Sequence, residues 1–270
     1  MAAALNINEL NEHERDALIE FDAGPHKYTC GGESDYMSVT TWLHSHFKQF
    51  DADAIIKKMM SNAERFKKSP YYGKTADEIK RQWDQGRDEA AAAGTAMHAA
   101  IENFYLEGGG DNNKNNNNLP KHFLDFVKDH SDLKPYRAEW MIFNEDVRLA
   151  GSIDMVMGGA SAPLALFDWK RCKKIEKTNG FGEFALTECI DHLPDTNFWH
   201  YALQLNTYKA ILELKYKKKV SKMCLVCLHP NLPTYQLLTV PDLSNEIEAL
   251  FALRKEEILY KNKLKNKADK

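Results

Sequence analysis

Three strand-type runs that follow one another in the middle of the chain constrain its fold more than any other feature. The runs cover residues 136–143, 148–157 and 165–170. Each is rich in apolar, β-branched and aromatic residues, which is typical of strands that are buried on at least one face. Asn144 lies in the first short break, and Gly158 and Pro163 lie in the second, so turns connect the runs. The pattern therefore predicts neighbouring strands of one sheet.

Helical and strand patterns on both sides of these runs extend the sheet. A hairpin is predicted around residues 26–30, with its turn at Gly31-Gly32, and further strands at 222–228 and 234–240. Helices are predicted at 39–47, from Asp51 or Asp53 to Phe66, at 75–107, near 120–130, at 197–214 and after Asp242. This order predicts an α/β fold in which helices flank a central mixed β-sheet, preceded by a helical N-terminal section.

The same order of elements predicts one domain over residues 1–270. Residues 1–75 form its N-terminal hairpin and helical section, 76–240 its core, and 241–270 a final helix with a basic tail. The Gly- and Asn-rich segment 108–118 holds no apolar residue among its glycines and asparagines, which is typical of a mobile surface loop inside a domain.

Composition narrows the classes of protein to which the chain can belong. Hydrophobic residues make up 43% and charged residues 28% of it, as in soluble globular proteins, and no apolar run is long enough for a membrane span. Five scattered cysteines and the lack of a signal-type leader predict an intracellular reducing compartment, the cytoplasm or nucleus. The net charge is -3, but residues 215–270 hold 12 Lys and Arg against 6 Asp and Glu. That excess suits either a phosphate-binding face or an ordinary solvated tail.

Two aspartates interrupt the apolar strand runs and are the first candidate site residues. Asp154 lies in the second run and Asp168 in the third, where strand alternation places Lys170 on the same side as Asp168. A carboxylate is costly to bury unless it is paired or bound to a cation. The arrangement predicts metal-assisted phosphodiester chemistry, in which carboxylates hold the ion and the lysine orients the nucleophile. The alternative is that each aspartate caps a turn or pairs with a lysine.

Two predicted helices carry further polar pairs at helical spacing. His98 and Glu102 lie one turn apart before the strands, and Gln204 and Tyr208 lie one turn apart after them. An imidazole at position 98 would complete a His/Asp/Asp metal site if its helix packs against the strand ends. The alternatives are an interior histidine with satisfied hydrogen bonds and an amphipathic helix with a polar edge.

Taken in order, these motifs resemble the RecB-like exonuclease branch of the PD-(D/E)XK nuclease superfamily, which includes phage and viral recombination exonucleases, the mitochondrial genome maintenance exonuclease and CRISPR-associated RecB-like nucleases. The resemblance spans residues 83–208 and rests on four motifs. They are Gly94-Thr-x-x-His98-x-x-x-Glu102, Gly151-x-Ile-Asp154, Asp168-x-Lys170 and Gln204-x-x-x-Tyr208. Asp-x-Lys alone occurs in many proteins, so the order of the four carries the resemblance.

The resemblance implies a restriction-endonuclease-like core and cleavage of DNA with Mg²⁺ or Mn²⁺. It implies an exonuclease that acts at DNA ends in recombination, repair or replication, with a recombination or replication protein as a candidate partner. His98, Asp154, Asp168 and the main-chain carbonyl of Trp169 would be the metal ligands, and Asp154, Asp168 and Lys170 the catalytic residues. Gln204, Tyr208, Arg171 and Glu102 would organise the site or contact DNA, and Glu139 is a further candidate.

Two alternatives keep the same fold. One is a DNA-binding module that does not cleave, and the other is a structure-specific endonuclease or RNase. One subgroup of the family holds an iron–sulfur cluster through four cysteines, and Cys224-x-x-Cys227 has suitable spacing with Cys30 upstream. Only two cysteines follow Tyr208, however, so buried, inert cysteines without a cluster are expected.

Overall fold

The computed structural model describes residues 5–109 and 119–268. Its helices are α1 (Ile7–Leu10), α2 (Val39–His44), α3 (Ala52–Ser61), α4 (Ala63–Phe66), α5 (Ala76–Leu106), α6 (Phe123–Asp129), α7 (Asn197–Lys215) and α8 (Ser244–Ala268). Its strands are β1 (Ile19–Asp22), β2 (Lys27–Cys30), β3 (Glu33–Ser38), β4 (Pro135–Asn144), β5 (Leu149–Met157), β6 (Leu164–Lys170), β7 (Val220–Cys227) and β8 (Gln236–Thr239). Within the described ranges, no helix is both long and apolar enough to cross a bilayer. Residues 110–118 of the predicted loop lie outside the described part.

Polar residues that cap the helices explain where several of them begin. The Ser38 hydroxyl accepts a hydrogen bond from the backbone of Thr41 at the start of α2, as predicted. Thr75 and Glu78 form a reciprocal capping box at the start of α5. One prediction was wrong: the single helix expected through Phe66 is divided, because Asn62 leaves helical geometry and caps α4 instead.

One sheet contains all eight strands, in the order β1-β2-β3-β5-β6-β7-β8, with β4 on the other edge of β5. β4 runs antiparallel to β5 over almost its whole length, whereas β3 pairs with only the first two residues of β5 in parallel. β6 runs antiparallel to the last three residues of β5 and parallel to β7. The predicted α/β fold, with a central mixed sheet between helices, is confirmed.

Two hydrophobic clusters cover the opposite faces of this sheet. Alternate residues of β7 divide between them: Met223 and Leu225 pack with α2, α7 and α8, whereas Cys224 and Val226 pack with α5 and α6. The long helix α5 and the buried helix α7 therefore lie on opposite sides of the central strands. Successive side chains near the end of β6 accordingly face different helices, Trp169 the α5 side and Asp168 the α7 side.

The alternation of faces is interrupted in the two longest strands, in β4 both at its register shift between Pro135 and Arg137 and near Glu139. Residues two apart on a regular strand share a face. Ala138 and Trp140 nevertheless lie in different clusters, and so do their partners Met155 and Ile153 on β5. The break falls at Glu139, which has a φ of 45°. Both strands therefore change face at the position where Glu139 lies opposite Asp154.

Candidate metal centre

The candidate site lies where β5 and β6 separate. Their ladder ends at Met155 and Phe167, while β6 continues beside β7 as far as Lys170. At this fork the Asp154 carboxylate accepts a hydrogen bond from the backbone N–H of Trp169, at 2.8 Å. A side chain thus replaces the next bond of the ladder, and the opening between the strands is lined by the predicted carboxylates.

Helix α5 adds His98 to this opening. Its Nε2 lies 3.0 Å from the carbonyl oxygen of Trp169, and its Nδ1 lies 3.6 Å from Asp154 Oδ2 and 3.4 Å from Glu139 Oε1. Ligand atoms of His98, Glu139 and Asp154 all lie within 4.8 Å of one another. An imidazole, two carboxylates and a main-chain carbonyl therefore converge from one helix and three strands.

The backbone at Glu139 is held in an unusual conformation. A φ of 45° is in the left-handed region, which is strained for a residue with a side chain and typically costs on the order of 1–3 kcal/mol. The neighbouring Ala138 is fixed by Asn8, whose side chain exchanges two hydrogen bonds of 2.9 Å with its backbone. The hydroxyl of Ser152 donates to Glu139 Oε2 at 2.9 Å. The surroundings thus hold the Glu139 carboxylate in the cluster.

Asp168 forms a second group on the α7 side of the fork. It is 2% exposed, and Lys170 Nζ lies 3.0 Å from its Oδ1 and 2.8 Å from its Oδ2. Gln204 Nε2 donates weakly to Oδ1 at 3.4 Å and lies 3.3 Å from the Tyr208 hydroxyl. The Lys170 ammonium also lies 4.3 Å from the centre of the Tyr201 ring. Polar groups and one aromatic ring therefore fix the lysine and the carboxylate together.

The pKa values of the site residues are shifted because several carboxylates lie close together. Burial and the negative charge of Asp168 raise the pKa of Asp154 to about 7. Burial alone would lower the pKa of His98, but its hydrogen bond to Glu139 and the charge of Asp154 raise it to about 9. Burial would likewise lower the pKa of Lys170, but Asp168 and Asp154 raise it. Positive charge therefore stabilises these crowded carboxylates, and bound protons provide it when no other cation is bound.

These residues fit a divalent metal ion. Carboxylate and carbonyl oxygens with one imidazole suit Mg²⁺ or Mn²⁺. Asp168 Oδ2 is buried, and although the ammonium lies near it, it receives no well-directed hydrogen bond from a described residue. Glu139 and Asp154 are directed at the same space as the imidazole. A cation in the opening would offset the repulsion that shifts the pKa of Asp154.

The predicted site residues differ in how closely the structure brings them together. The cluster contains His98, Asp154 and the Trp169 carbonyl, which lie within contact distance of one another. An adjoining chain of contacts links Asp168, Lys170, Gln204 and Tyr208. Glu139, a minor candidate from the sequence, lies inside the cluster. Glu102 is further along α5, where burial and the charge of Glu139 raise its pKa.

Arg171 and Ser152 are two further polar residues near the cluster. Arg171 lines a groove beside the site rather than the cluster itself. Ser152 was not predicted, although it lies in the Gly-x-Ile-Asp motif beside Gly151. Its position two residues before Asp154 is the signal that would have identified it, because residues two apart on a regular strand are expected to share a face.

Comparisons with known proteins leave the family open. No protein-family model matches the sequence, and a search of curated proteins gives no match. Among solved structures, the chain is similar to a crystal structure named "Putative exonuclease" from Eubacterium rectale, with 11% identity over 86% of this chain and 82% of that one. The TM-score of that pair is 0.35, so the similarity establishes neither a fold nor an activity for this protein.

Proposed function

We propose that this protein is a nuclease that hydrolyses DNA phosphodiester bonds at strand ends with Mg²⁺ or Mn²⁺. The observation that carries the proposal is the convergence of His98, Glu139 and Asp154 at the fork, beside the paired Asp168 and Lys170. Oxygen-rich metal ligands next to a buried lysine are the groups that phosphodiester hydrolysis requires. The order of motifs that resembles RecB-like nucleases supports the same reaction.

In this proposal, His98, Glu139, Asp154 and the Trp169 carbonyl hold the ion, with Asp168 beside them. When bound, the ion supplies a nucleophile at neutral pH by lowering the pKa of a coordinated water, and it neutralises charge on the phosphate. Ser152 donates to Glu139 and so orients one of these ligands. Gln204 performs the corresponding role for Asp168.

Lys170 acts as a charged group in this scheme rather than as a base. Its pKa is raised by Asp168 and Asp154, so the ammonium keeps its proton at physiological pH. A protonated lysine donates hydrogen bonds, which can orient a water or stabilise the negative charge that develops on a phosphoryl oxygen. The contact with the Tyr201 ring limits the conformations of the ammonium.

A groove beside the site supports a phosphodiester substrate. It encloses about 740 Å³ and is lined by alanines of α5, by Leu228 and Pro230, and by the cationic side chains of Lys121 and Arg171. His98 does not line it: its chain neighbours Met97 and Ala99 do, and residues one apart on a helix point in different directions, so the imidazole lies on another face of α5. Small side chains let a strand approach closely, and the two cations would bind its phosphates. The proposed role in recombination, repair or replication is the one that the resemblance to RecB-like nucleases implies.

The experiment that tests this function is a time course of cleavage. Linear DNA labelled at the 5′ or 3′ end is compared with circular DNA, in Mg²⁺, in Mn²⁺ and in EDTA. We expect loss of nucleotides from linear ends with either metal and no cleavage in EDTA. Binding without cleavage under all conditions would instead indicate a non-cleaving module, and cutting of circles an endonuclease.

Variants of the paired lysine and carboxylate assign the roles. Asp168→Asn and Lys170→Ala should each reduce the cleavage rate by several orders of magnitude, because both groups act on the transition state. Lys209→Ala is the matched control: this α7 lysine is 12% exposed against 17% for Lys170, and it also pairs with an aspartate, Asp242. Full activity in both site variants would reject the assignment.

A further inference from the structure

A pair of cysteines lies at the ends of β6, which carries Lys170, and of its parallel neighbour β7. Cys172 Sγ and Cys227 Sγ are 3.5 Å apart, although 55 residues separate them in the chain. Cys227 is the last residue of β7 and pairs with Lys170 in the parallel ladder. Cys172 follows β6, in a segment without regular structure. The two sulfurs are therefore in van der Waals contact beside the proposed site.

We propose that Cys172 and Cys227 are a site of oxidative modification, a dithiol that a peroxide converts to a disulfide. A disulfide has an S–S length of about 2.05 Å, so closure requires a movement of about 1.5 Å. Cys227 is fully buried in a central strand, whereas Cys172 is half-buried in irregular backbone. Cys172 is thus the residue that moves and the one that a small oxidant reaches.

The chemistry uses two successive displacements and hydrogen peroxide as the oxidant. The Cys172 sulfur attacks one peroxide oxygen, the O–O bond breaks, and the departing hydroxide takes the thiol proton to form water. The Cys227 sulfur then attacks the sulfenic acid, the S–O bond breaks, and a second water leaves with the Cys227 proton. Two thiols and one peroxide give one disulfide and two waters.

The other cysteines do not share this geometry. Cys224 belongs to the same Cys-x-x-Cys sequence as Cys227, but it packs with α5 and α6 on the opposite face from α7. Cys189 is half-buried like Cys172, and it makes no sulfur contact with another described cysteine. The proximity of residues 172 and 227 therefore comes from the β6–β7 pairing rather than from a sequence motif.

The same bond would regulate the site, an inference that rests on the proposed nuclease function. Lys170 lies two residues before Cys172, and its carbonyl accepts a hydrogen bond of 2.8 Å from the N–H of Leu228, which follows Cys227. Drawing Cys172 toward β7 displaces the segment that positions the Lys170 ammonium against Tyr201. A misplacement of about 1 Å can slow an enzyme on the order of 100-fold. We expect oxidation to slow cleavage at least about tenfold.

The decisive test counts thiols and maps the bond, and it needs no cleavage activity. The full-length protein is treated with hydrogen peroxide or buffer, unfolded, alkylated and analysed by mass spectrometry before and after proteolysis. With five cysteines in the chain, we expect five alkyl groups without peroxide and three with it. Proteolysis should release a linked peptide that contains Cys172 and Cys227. Five groups after peroxide, or a bond to another cysteine, would overturn the proposal.

Serine variants provide the controls. Cys172→Ser should take four alkyl groups with or without peroxide. Cys227→Ser should take four and then three, because the Cys172 sulfenic acid has no partner thiol, whereas Cys189→Ser should take four and then two. If the buried Cys227→Ser does not fold, the half-buried Cys172→Ser still decides the result. A peroxide-dependent loss of two thiols that persists in Cys172→Ser, or a loss of two thiols from the wild type without a linked peptide, would also contradict the proposal.

Cleavage assays on the same samples separate the two proposals. The oxidised wild type should cleave slowly and recover with dithiothreitol, and Cys172→Ser should cleave equally in both states. If neither state cleaves DNA, the proposed function fails while the mapped disulfide stands. If both states of the wild type cleave equally, the bond does not regulate the site.

Discussion

At the scale of single residues, Glu139 lies where the backbone conformation favours one residue type and the candidate metal site favours another. Its left-handed φ suits glycine, but glycine would remove the carboxylate that lies with His98 and Asp154. A residue in a strained backbone conformation beside a cluster of charged side chains is a common sign of a functional site. The sequence could not reveal this, because glutamate is an ordinary residue on a strand and no side-chain pattern encodes a positive φ.

Exchange of Glu139 for glycine or glutamine measures the strain and the ligand role separately. Both variants lose the charge, but only glycine relieves the backbone. In EDTA, Glu139→Gly should therefore be more stable than Glu139→Gln by about 1 kcal/mol. Both should bind Mn²⁺ more weakly than the wild type. Urea unfolding gives the free energies, and titration calorimetry gives the affinities; equal stability of the two variants would show that the backbone is not strained.

At the scale of elements, the packing of α7 on β5 depends on the absence of a side chain at one position. A methyl group at Gly151 would lie 2.8 Å from Tyr208 Cε1 and 2.9 Å from its hydroxyl. Both are well inside van der Waals contact, and Tyr208 is 3% exposed with little room to move. The Gly-x-Ile-Asp and Gln-x-x-x-Tyr motifs are thus in direct contact, which explains the glycine of the first motif by close packing.

Gly151→Ala should accordingly destabilise the protein by about 1–3 kcal/mol through overpacking. Because Tyr208 lies beside Gln204, the substitution should also disturb the contact with Asp168. Gly94→Ala is the control, since a methyl group there meets no described atom within 4 Å and the residue lies inside α5. That variant should gain up to about 1 kcal/mol. Thermal unfolding distinguishes the two; a neutral Gly151→Ala would mean that α7 shifts freely.

The elements themselves were largely predictable from the sequence, because local periodicity determines them. Strands β4, β5 and β6 begin and end within about one residue of the predicted limits, since apolar alternation and Gly or Pro turns mark both ends. The division of the helix at Asn62 was missed, because an asparagine cap and an interior asparagine look alike in sequence.

The arrangement of the site depended on long-range pairing and was less predictable. The fork between β5 and β6 follows from where their ladder ends, and the contact of Cys172 with Cys227 follows from the pairing of β6 with β7. Cys224 and Cys227 share a Cys-x-x-Cys spacing, but a strand places residues three apart on opposite faces. Local spacing therefore identified the polar residues, and sheet topology decided which of them meet.

At the scale of the whole molecule, the charge cluster couples stability to pH. His98 has a folded pKa of about 9, above its ordinary value of 6.5, so its stabilising effect is complete below pH 6.5 and is lost as pH rises through 9. The pKa of Asp154 is raised to about 7, so the stabilisation from its protonation is already lost above that pH. The stability of the metal-free wild type relative to His98→Gln should therefore fall between pH 7 and 9. Urea unfolding in EDTA at several pH values measures this difference, and a difference that is constant with pH would contradict the raised pKa.

Metal binding should show the opposite dependence on pH, because the ion competes with protons for the same ligands. At pH 8, a group with a pKa of about 9 is mostly protonated and one with a pKa of about 7 is mostly not, so binding should release about one proton, chiefly from His98. The rise in Tm caused by Mg²⁺ should accordingly grow from pH 7 to 9. Calorimetric titrations with Mg²⁺ in two buffers of different ionisation enthalpy count the proton directly. His98→Gln should release almost none, whereas an unchanged count in that variant would place the proton, and with it the ion, away from the imidazole.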